Sequence, residues 1–409
     1  MAESMGLDRL PEFASIRAAA EKIAGEGERL TSLCVEIQQI PAPTGAEEQR
    51  ADWVQARLRG LGLADIDRDG ALNVYGRIPG KQSTPALLVS AHTDTVFPAA
   101  TDLTVRVDAQ TGRISGPSIG DNSTGLAGLI VLAEVLAGLE QPPVDIWLVA
   151  NSSEEGLGDL KGIRAAVDRL QDRIGAVLVL EGMGLGRIVH RGLGVRRYRI
   201  HAAAPGGHSW GDFGSASAIH CLAALATDIT RLNVPQQPRT TYNIGKFNGG
   251  TSVNTIAQHA AFELDLRSAA PETLAQLDEQ VQRLMQRHQR QHEKAKSGVV
   301  FSAEAIGDRP AGQIPESHPL MQATSAILAQ LEIPERLDVR ISSTDANIPL
   351  SRGIPSVCIG LTEGGDAHRL SEWIDPKPLT KGIQQLLYLT WWTAAWLTTG
   401  GGREEGRMR

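Results

Sequence analysis

Apolar positions recur at helical spacing over residues 8–40, where Ala18, Ala19, Ala20 and Ile23 are followed by Leu30, Leu33 and Ile37. That pattern predicts one or two packing helices. Further along, four short apolar runs appear without alternation: Ala86-Leu87-Leu88-Val89, Ile146-Trp147-Leu148-Val149, Ala176-Val177-Leu178-Val179-Leu180 and Pro355-Ser356-Val357-Cys358-Ile359. Uninterrupted runs of strand length suit a sheet covered on both faces. Between the first two, Leu126 to Leu139 has a helical pattern. Strands alternating with helices predict an α/β fold, a mostly parallel mixed sheet sandwiched by helices.

From about Gly192 the texture differs. Val195 to Ile200 alternates apolar and polar, Ala216 to Leu232 reads as a helix, and Phe262 to Arg267 alternates again. Thr273 to His292 is a second amphipathic helix, and Gly298 to Ala303 another strand. Alternation implies a sheet with one open face, hence a separate small α+β unit. After about Arg309 come a helix, a buried strand and a long helix over Leu379 to Leu397. The predicted organisation is a discontinuous α/β domain (1–191 and 308–397) with an inserted α+β lid at 192–307. A Gly-rich, charged tail at 398–409 is expected to be disordered.

The composition of the 409 residues, 42% apolar and 21% charged, excludes a disordered chain or a coiled coil. With 40 basic and 47 acidic residues the net charge is −7, which argues against a nucleic-acid partner. No apolar run approaches the roughly 18 residues of a membrane span. The start, Met-Ala-Glu-Ser-Met-Gly-Leu-Asp, lacks the basic and apolar blocks of a signal peptide, so a cytoplasmic protein with no membrane partner is expected. Cys34, Cys221 and Cys358 match no zinc-finger spacing and read as buried thiols.

Polar residues cluster where the buried strands end. The first strand runs into His92-Thr93-Asp94; a His and an Asp two apart face the same side of an extended chain. Gly116 to Gly125 contains Asp121 and opens a helix. It lacks the Gly-Lys-Ser/Thr of a phosphate-binding loop, and Asp121 or Ser123 also suits a simple helix cap. The second strand ends in Glu154-Glu155, adjacent acids whose burial needs partners. The third ends in Glu181, and the fourth leads to His368. Singly, each has an ordinary structural reading. Together they put two His, one Asp and several Glu at the carboxyl edge of one sheet, where open α/β sheets bind ligands. Such a donor set suits two divalent cations, zinc first, then cobalt or manganese.

This order of residues resembles the co-catalytic dinuclear zinc metallopeptidases that include glutamate carboxypeptidase, peptidase T (tripeptidase), acetylornithine deacetylase and succinyl-diaminopimelate desuccinylase. The resemblance extends from about residue 30 to 397. It implies a zinc-exopeptidase-like fold with an inserted lid/dimerisation domain. It implies that His92 and Glu181 bind one metal, that Glu155 and His368 bind the other, and that Asp121 bridges. Glu154 would be the general base and Asp94 the support of His92. In the lid, Pro205-Gly206-Gly207-His208-Ser209 matches the His that reaches across a homodimer into the partner's active site. Gly249 to Asn254 matches a substrate loop through Asn254, and Asp308-Arg309-Pro310 matches an Arg, here Arg309, that grips a substrate carboxylate. One departure is Trp210, where the family often has Gly or Ala. The Gly-x-Gly-Asp-Asn-Ser-like form around Asp121 is closer to the tripeptidase and carboxypeptidase branches than to the deacylases.

The expected function is hydrolysis of an amide bond in a small peptide or N-acyl amino acid with a free carboxylate, through a water shared by the metals and Glu154 as base. Two readings compete with a peptidase: an N-acyl amino acid deacylase using the same site, and a non-catalytic metal- or peptide-binding homologue. The intact Glu154 and full ligand set speak against the second. A nucleotide-binding protein is disfavoured by the missing phosphate-binding Lys and by the acids, which would repel phosphate.

Overall fold

The structure is a computed structural model and describes residues 13–336 and 342–402. The chain forms two compact units: Gly192–Gly312, and the chain on either side of it.

In the first unit, the sheet order is Ala64–Arg68, Val74–Ile78, Val144–Asn151, Gln82–His92, Ile174–Met183, Ser356–Gly365, Trp373–Asp375, Ile114–Ser115 and Arg106–Val107. The four central strands, Val144–Asn151 to Ser356–Gly365, are parallel, and the flanking pairs are antiparallel. All eight residues of Val144–Asn151 are buried, as are Ala86 to His92. This explains the absence of alternation in their sequences. Helices Gly125–Ala137 and Leu379–Thr398 pack on the central strands and on each other, while Lys161–Leu170 packs on Val144–Asn151. Gly125–Ala137 is apolar nearly all round because it lies inside the unit; each fully buried Leu or Ile there contributes roughly 1.5–3 kcal/mol.

Three expectations need correction. Ile119–Ala137 is, by length and composition, apolar enough to cross a membrane, but 83% of that stretch is buried within the protein, as in a core helix. The inserted unit ends at Gly312 rather than 307, because Val300–Arg309 continues as a strand paired through Arg309 opposite Val195. Of the tail at 398–409, residues 403–409 lie outside the described residues; Thr398 ends the last helix, and Gly401 packs against Trp396.

The second unit is a four-stranded antiparallel sheet, ordered Thr240–Gly249, His259–Ser268, Gly194–Ala203, Val300–Arg309. Burial alternates residue by residue along His259–Ser268. Phe262, Leu264 and Leu266 meet Leu222 and Leu225 of helix Ala218–Ile229 and Leu277 and Val281 of helix Pro271–Lys294 in one core. The other face carries charged pairs such as Arg197–Asp265 and Arg199–Glu263.

Candidate active site and metal centre

Parallel strands all end on the same edge of a sheet, and here four of them deliver polar side chains to it. His92 is the last residue of Gln82–His92 and is 2% exposed. Val144–Asn151 runs into the loop carrying Glu154 and Glu155, both buried. Glu181 lies near the end of Ile174–Met183, and His368 follows Ser356–Gly365. Asp121 sits in the turn that opens helix Gly125–Ala137. That turn approaches the Glu181 strand so closely that a side chain at Gly182 would meet the Gly120 carbonyl oxygen at 1.9 Å. Glycine at 182 is what lets Asp121 and Glu181 share a space.

The side chains converge. His92 Nε2 lies 3.1 Å from Asp121 Oδ1 and 3.7 Å from Glu181 Oε2. His368 Nε2 lies 3.2 Å from Asp121 Oδ2 and 2.8 Å from Glu155 Oε1. The two oxygens of Asp121 thus face two different histidines. Three groups offer ligand atoms all within 4.8 Å of one another: His92 with Asp121 and Glu181, Asp121 with Glu155 and His368, and His92 with Glu154 and Glu155.

The electrostatics call for positive charge. Burial pushes the His92 imidazolium to lose its proton, but Asp121, Asp94 and Glu181 outweigh it and hold His92 well above its ordinary value. Asp121 and Glu155 likewise raise His368 to about 10. Burial raises the Glu181 carboxyl, and the charges of Asp121 and Glu155 add to that. Mixed imidazole and carboxylate donors around a shared carboxylate fit two borderline divalent cations.

Asp94 joins the parts. Its side chain and carbonyl oxygen both face His92 Nδ1, at 3.4 and 3.2 Å, which leaves Nε2 for a ligand. Its Oδ1 accepts from the backbone N–H of Glu154 and its Oδ2 from that of Glu155, each at 2.9 Å. Burial opposes ionisation of Asp94, but His92 and these N–H groups keep its pKa below the usual carboxylate value.

The other expected residues belong to the second unit. Gly207–His208 pairs with Thr255–Ile256, and the Ser209 N–H donates to the Asn254 carbonyl oxygen at 3.1 Å. His208 Nδ1 accepts from the N–H groups of Trp210 and Gly211 at 3.2 and 3.3 Å. A ring whose Nδ1 accepts carries its proton on Nε2, so His208 presents a donor. The Ser252 hydroxyl donates to Asn254 Oδ1 at 2.9 Å, leaving the Asn254 amide N–H groups to donate elsewhere. Arg309 ends its strand and is 6% exposed.

The sequence model of Peptidase family M20/M25/M40 matches residues 88–391. The chain belongs to this family. It is a hydrolase built on the M20 fold, and the expected family resemblance holds. Among curated relatives, succinyl-diaminopimelate desuccinylase of Corynebacterium glutamicum is 24% identical over 83% of this chain and 90% of its own length. A tripeptidase structure from Staphylococcus aureus superposes with a TM-score of 0.74 at 22% identity, over 90% of this chain and 99% of that one. A dinuclear metal-binding M20 peptidase from Bacillus subtilis gives 0.64 at 17% identity, over 90% and 98% of the two chains.

In this M20 chain, further residues organise the site that sequence reasoning did not single out. Glu372 is fully buried: its Oε1 accepts from the N–H groups of Gly120 and Asp121 at 2.8 Å, and its Oε2 from that of His368 at 3.3 Å. Burial pushes its carboxyl up to about 7, against those N–H bonds. One side chain therefore holds the backbone of both Asp121 and His368. Its only sequence signal is an acid four residues after His368. Residues 44–50 grip the other two loops. The Thr44 hydroxyl donates to Asp94 Oδ2 at 2.9 Å, Glu47 Oε1 accepts from the Ser153 N–H at 3.0 Å, and the buried Arg50 donates to the Thr93 carbonyl at 2.8 Å. Glu47 precedes the helix Glu48–Gly60, where an acid reads simply as a partner of the helix dipole.

Glu372→Ala is expected to weaken divalent-metal affinity by about 10–100-fold, the usual cost of removing an outer-shell partner. Competition against a chromogenic zinc chelator measures this. Unchanged affinity in a folded variant would remove Glu372 from the organising role.

Proposed function

We propose that this M20 hydrolase cleaves the amide bond of a small peptide or N-acyl amino acid with a free carboxylate, with two divalent ions, zinc first. The observation that carries the reading is Asp121, whose two carboxylate oxygens face His92 and His368 at 3.1 and 3.2 Å. His92 and Glu181 would hold one ion, Glu155 and His368 the other, and Asp121 both. When bound, the ions supply Lewis acidity to the scissile carbonyl and to a water.

The chain's residues do the rest. Glu154 takes a proton from the attacking water and passes it to the leaving amine nitrogen, so the C–N bond breaks with a neutral leaving group. Asp94 orients His92 and fixes the Glu154-Glu155 backbone. His208 donates from Nε2 to the oxyanion, a type of contact whose loss costs about 10²–10³ in rate. Asn254 donates to the substrate, and Arg309 is the partner of its free carboxylate. A screen of the zinc- or cobalt-loaded chain against dipeptides, tripeptides and N-acyl amino acids tests this; no amide hydrolysis in any class contradicts it. The similarity to a desuccinylase over 83% of the chain favours deacylation as the second reading. The same screen separates the two.

The reading includes a homodimer through the lid, in which His208 serves the partner's centre. Support comes from the exposed His208 loop and from Val300–Arg309, a strand at the edge of its sheet most of whose residues are exposed. Mixing inactive His208→Ala with inactive Glu154→Ala protein under subunit exchange is expected to restore activity. The working site then combines Glu154 of one chain with His208 of the other. No recovery despite demonstrated exchange would put His208 in its own chain's site or in none.

A further inference from the structure

Among the described residues, nine large hydrophobic side chains are exposed, and six of them lie in the loops that carry site residues. In the first unit, Val96 follows Asp94 by two positions, Leu157 follows Glu155 by two, and Leu370 follows His368 by two. They are 40%, 69% and 68% exposed. In the second unit, Trp210 follows His208 by two, Phe213 by five, and Val253 precedes Asn254. Their exposures, 88%, 91% and 102%, are the highest of the nine. Single exposed hydrophobics are normal and need no explanation; their recurrence two residues after Asp94, Glu155 and His368 in the first unit, and around His208 and Asn254 in the second, does.

Trp210 is also held in place. The loop closes on itself: the Asp212 N–H donates to the His208 carbonyl at 2.9 Å, and the His208 N–H to Asp212 Oδ2 at 2.6 Å. The Trp210 N–H is bonded to the imidazole. Beyond the Ser209–Asn254 hydrogen bond, Trp210 and Val253 are the next residues on the two segments of this antiparallel pair. A large exposed ring carried on a hydrogen-bonded stretch of backbone beside a hydrogen-bond donor loses less backbone freedom on contact, which lowers the entropic cost of binding. The three exposed side chains of the first unit each follow by two positions a residue of the charged cluster, Asp94, Glu155 or His368, and that cluster must stay open to substrate. A permanently docked protein partner there would seal it.

Resting on the amide-hydrolase reading of this site, we propose that the enzyme selects substrates with a bulky apolar group beside the scissile amide. That group is an aromatic or branched side chain, or an acyl chain. Leu157, Leu370 and Val96 form its rim around the cluster, and Trp210, Val253 and Phe213 accompany His208. A charged acyl group such as succinyl, with its free carboxylate, finds no counterpart among these six side chains.

The test uses the metal-loaded full chain. Measure kcat/KM for Leu- and Phe-containing dipeptides and for long-chain N-acyl amino acids. Compare Ala- and Asp-containing dipeptides and N-succinyl amino acids. The apolar substrates are expected to win by about tenfold or more, within the range hydrophobic pockets achieve. The peptide and acyl arms tell which source supplies the apolar group. Leu370→Ser and Trp210→Gly are each expected to reduce the ratio of apolar to small substrate by severalfold, mainly through KM. Equal or better cleavage of charged or small substrates overturns the inference. So does an unchanged ratio in Leu157→Ser, Leu370→Ser and Trp210→Gly alike, which would leave these side chains to contact between copies. Binding of the same compounds to the metal-loaded Glu154→Gln chain, followed by calorimetry, separates the two claims. Apolar selectivity in binding without any wild-type turnover would sink the hydrolase reading and keep the apolar rim; turnover without selectivity would do the reverse.

Discussion

Asp121→Ala is expected to take metal content from about two ions per chain to none and to abolish hydrolysis. His92→Ala and His368→Ala should each remove about one. The difference follows from geometry. Asp121 turns one oxygen to each histidine, so both sites lose a ligand with it. The Nε2 of each histidine lies near Asp121 and one further carboxylate, Glu181 for His92 and Glu155 for His368. Removing Asp121 also leaves the remaining carboxylates without the two imidazoles' shared partner, and metal binding, which must hold the cluster together, weakens further. Metal analysis after dialysis reads the outcome directly. Full occupancy in both histidine variants would refute the ligand assignment. Loss of the ions should also lower thermal stability, since a ligand at 100 times its Kd stabilises by about 2.7 kcal/mol.

Glu154→Ala is expected to keep both ions and lose about 10²–10⁴ in turnover, the usual worth of a general base. Glu154 and Glu155 are adjacent and equally buried, so burial alone does not tell base from ligand. The contacts favour the assignment: Glu155 meets His368 at 2.8 Å within the Asp121 group, whereas Glu154 enters only the group with His92 and Glu155. Their backbone N–H groups are both tied to Asp94, which holds the two residues side by side on one loop. Loss of metal from Glu154→Ala with retention in Glu155→Ala would exchange the roles.

The central strands and the charged residues at their ends were legible in the sequence for one reason. A parallel sheet covered on both faces needs unbroken apolar runs, so polar residues where those runs stop stand out. The elements that stayed hidden lack this contrast. Thr240–Gly249 is an edge strand whose Tyr242, Ile244 and Phe247 are interspersed with polar residues and glycine, and it is exposed from Gly245 onward. Helix Glu48–Gly60 buries only Arg50, Ala51, Val54 and Leu58, so its pattern is mostly polar. The late end of the inserted unit depends on strand pairing through Arg309, which periodicity does not encode. Glu372, Glu47 and Arg50 act on backbone groups far away in sequence, and only the fold brings those together. By contrast, the exposed Trp210 stood out as a departure from the family pattern before its hydrogen-bonded loop gave it a reason.

The central claim is that a two-cation centre built around Asp121 drives amide hydrolysis. Its most direct test is stepwise addition of zinc or cobalt to the chelator-stripped full chain, following hydrolysis of the best substrate from the screen. The account predicts negligible activity without metal and a rise that saturates at two equivalents per chain. Full activity in the stripped protein, or saturation at one equivalent with no second binding event, would contradict it.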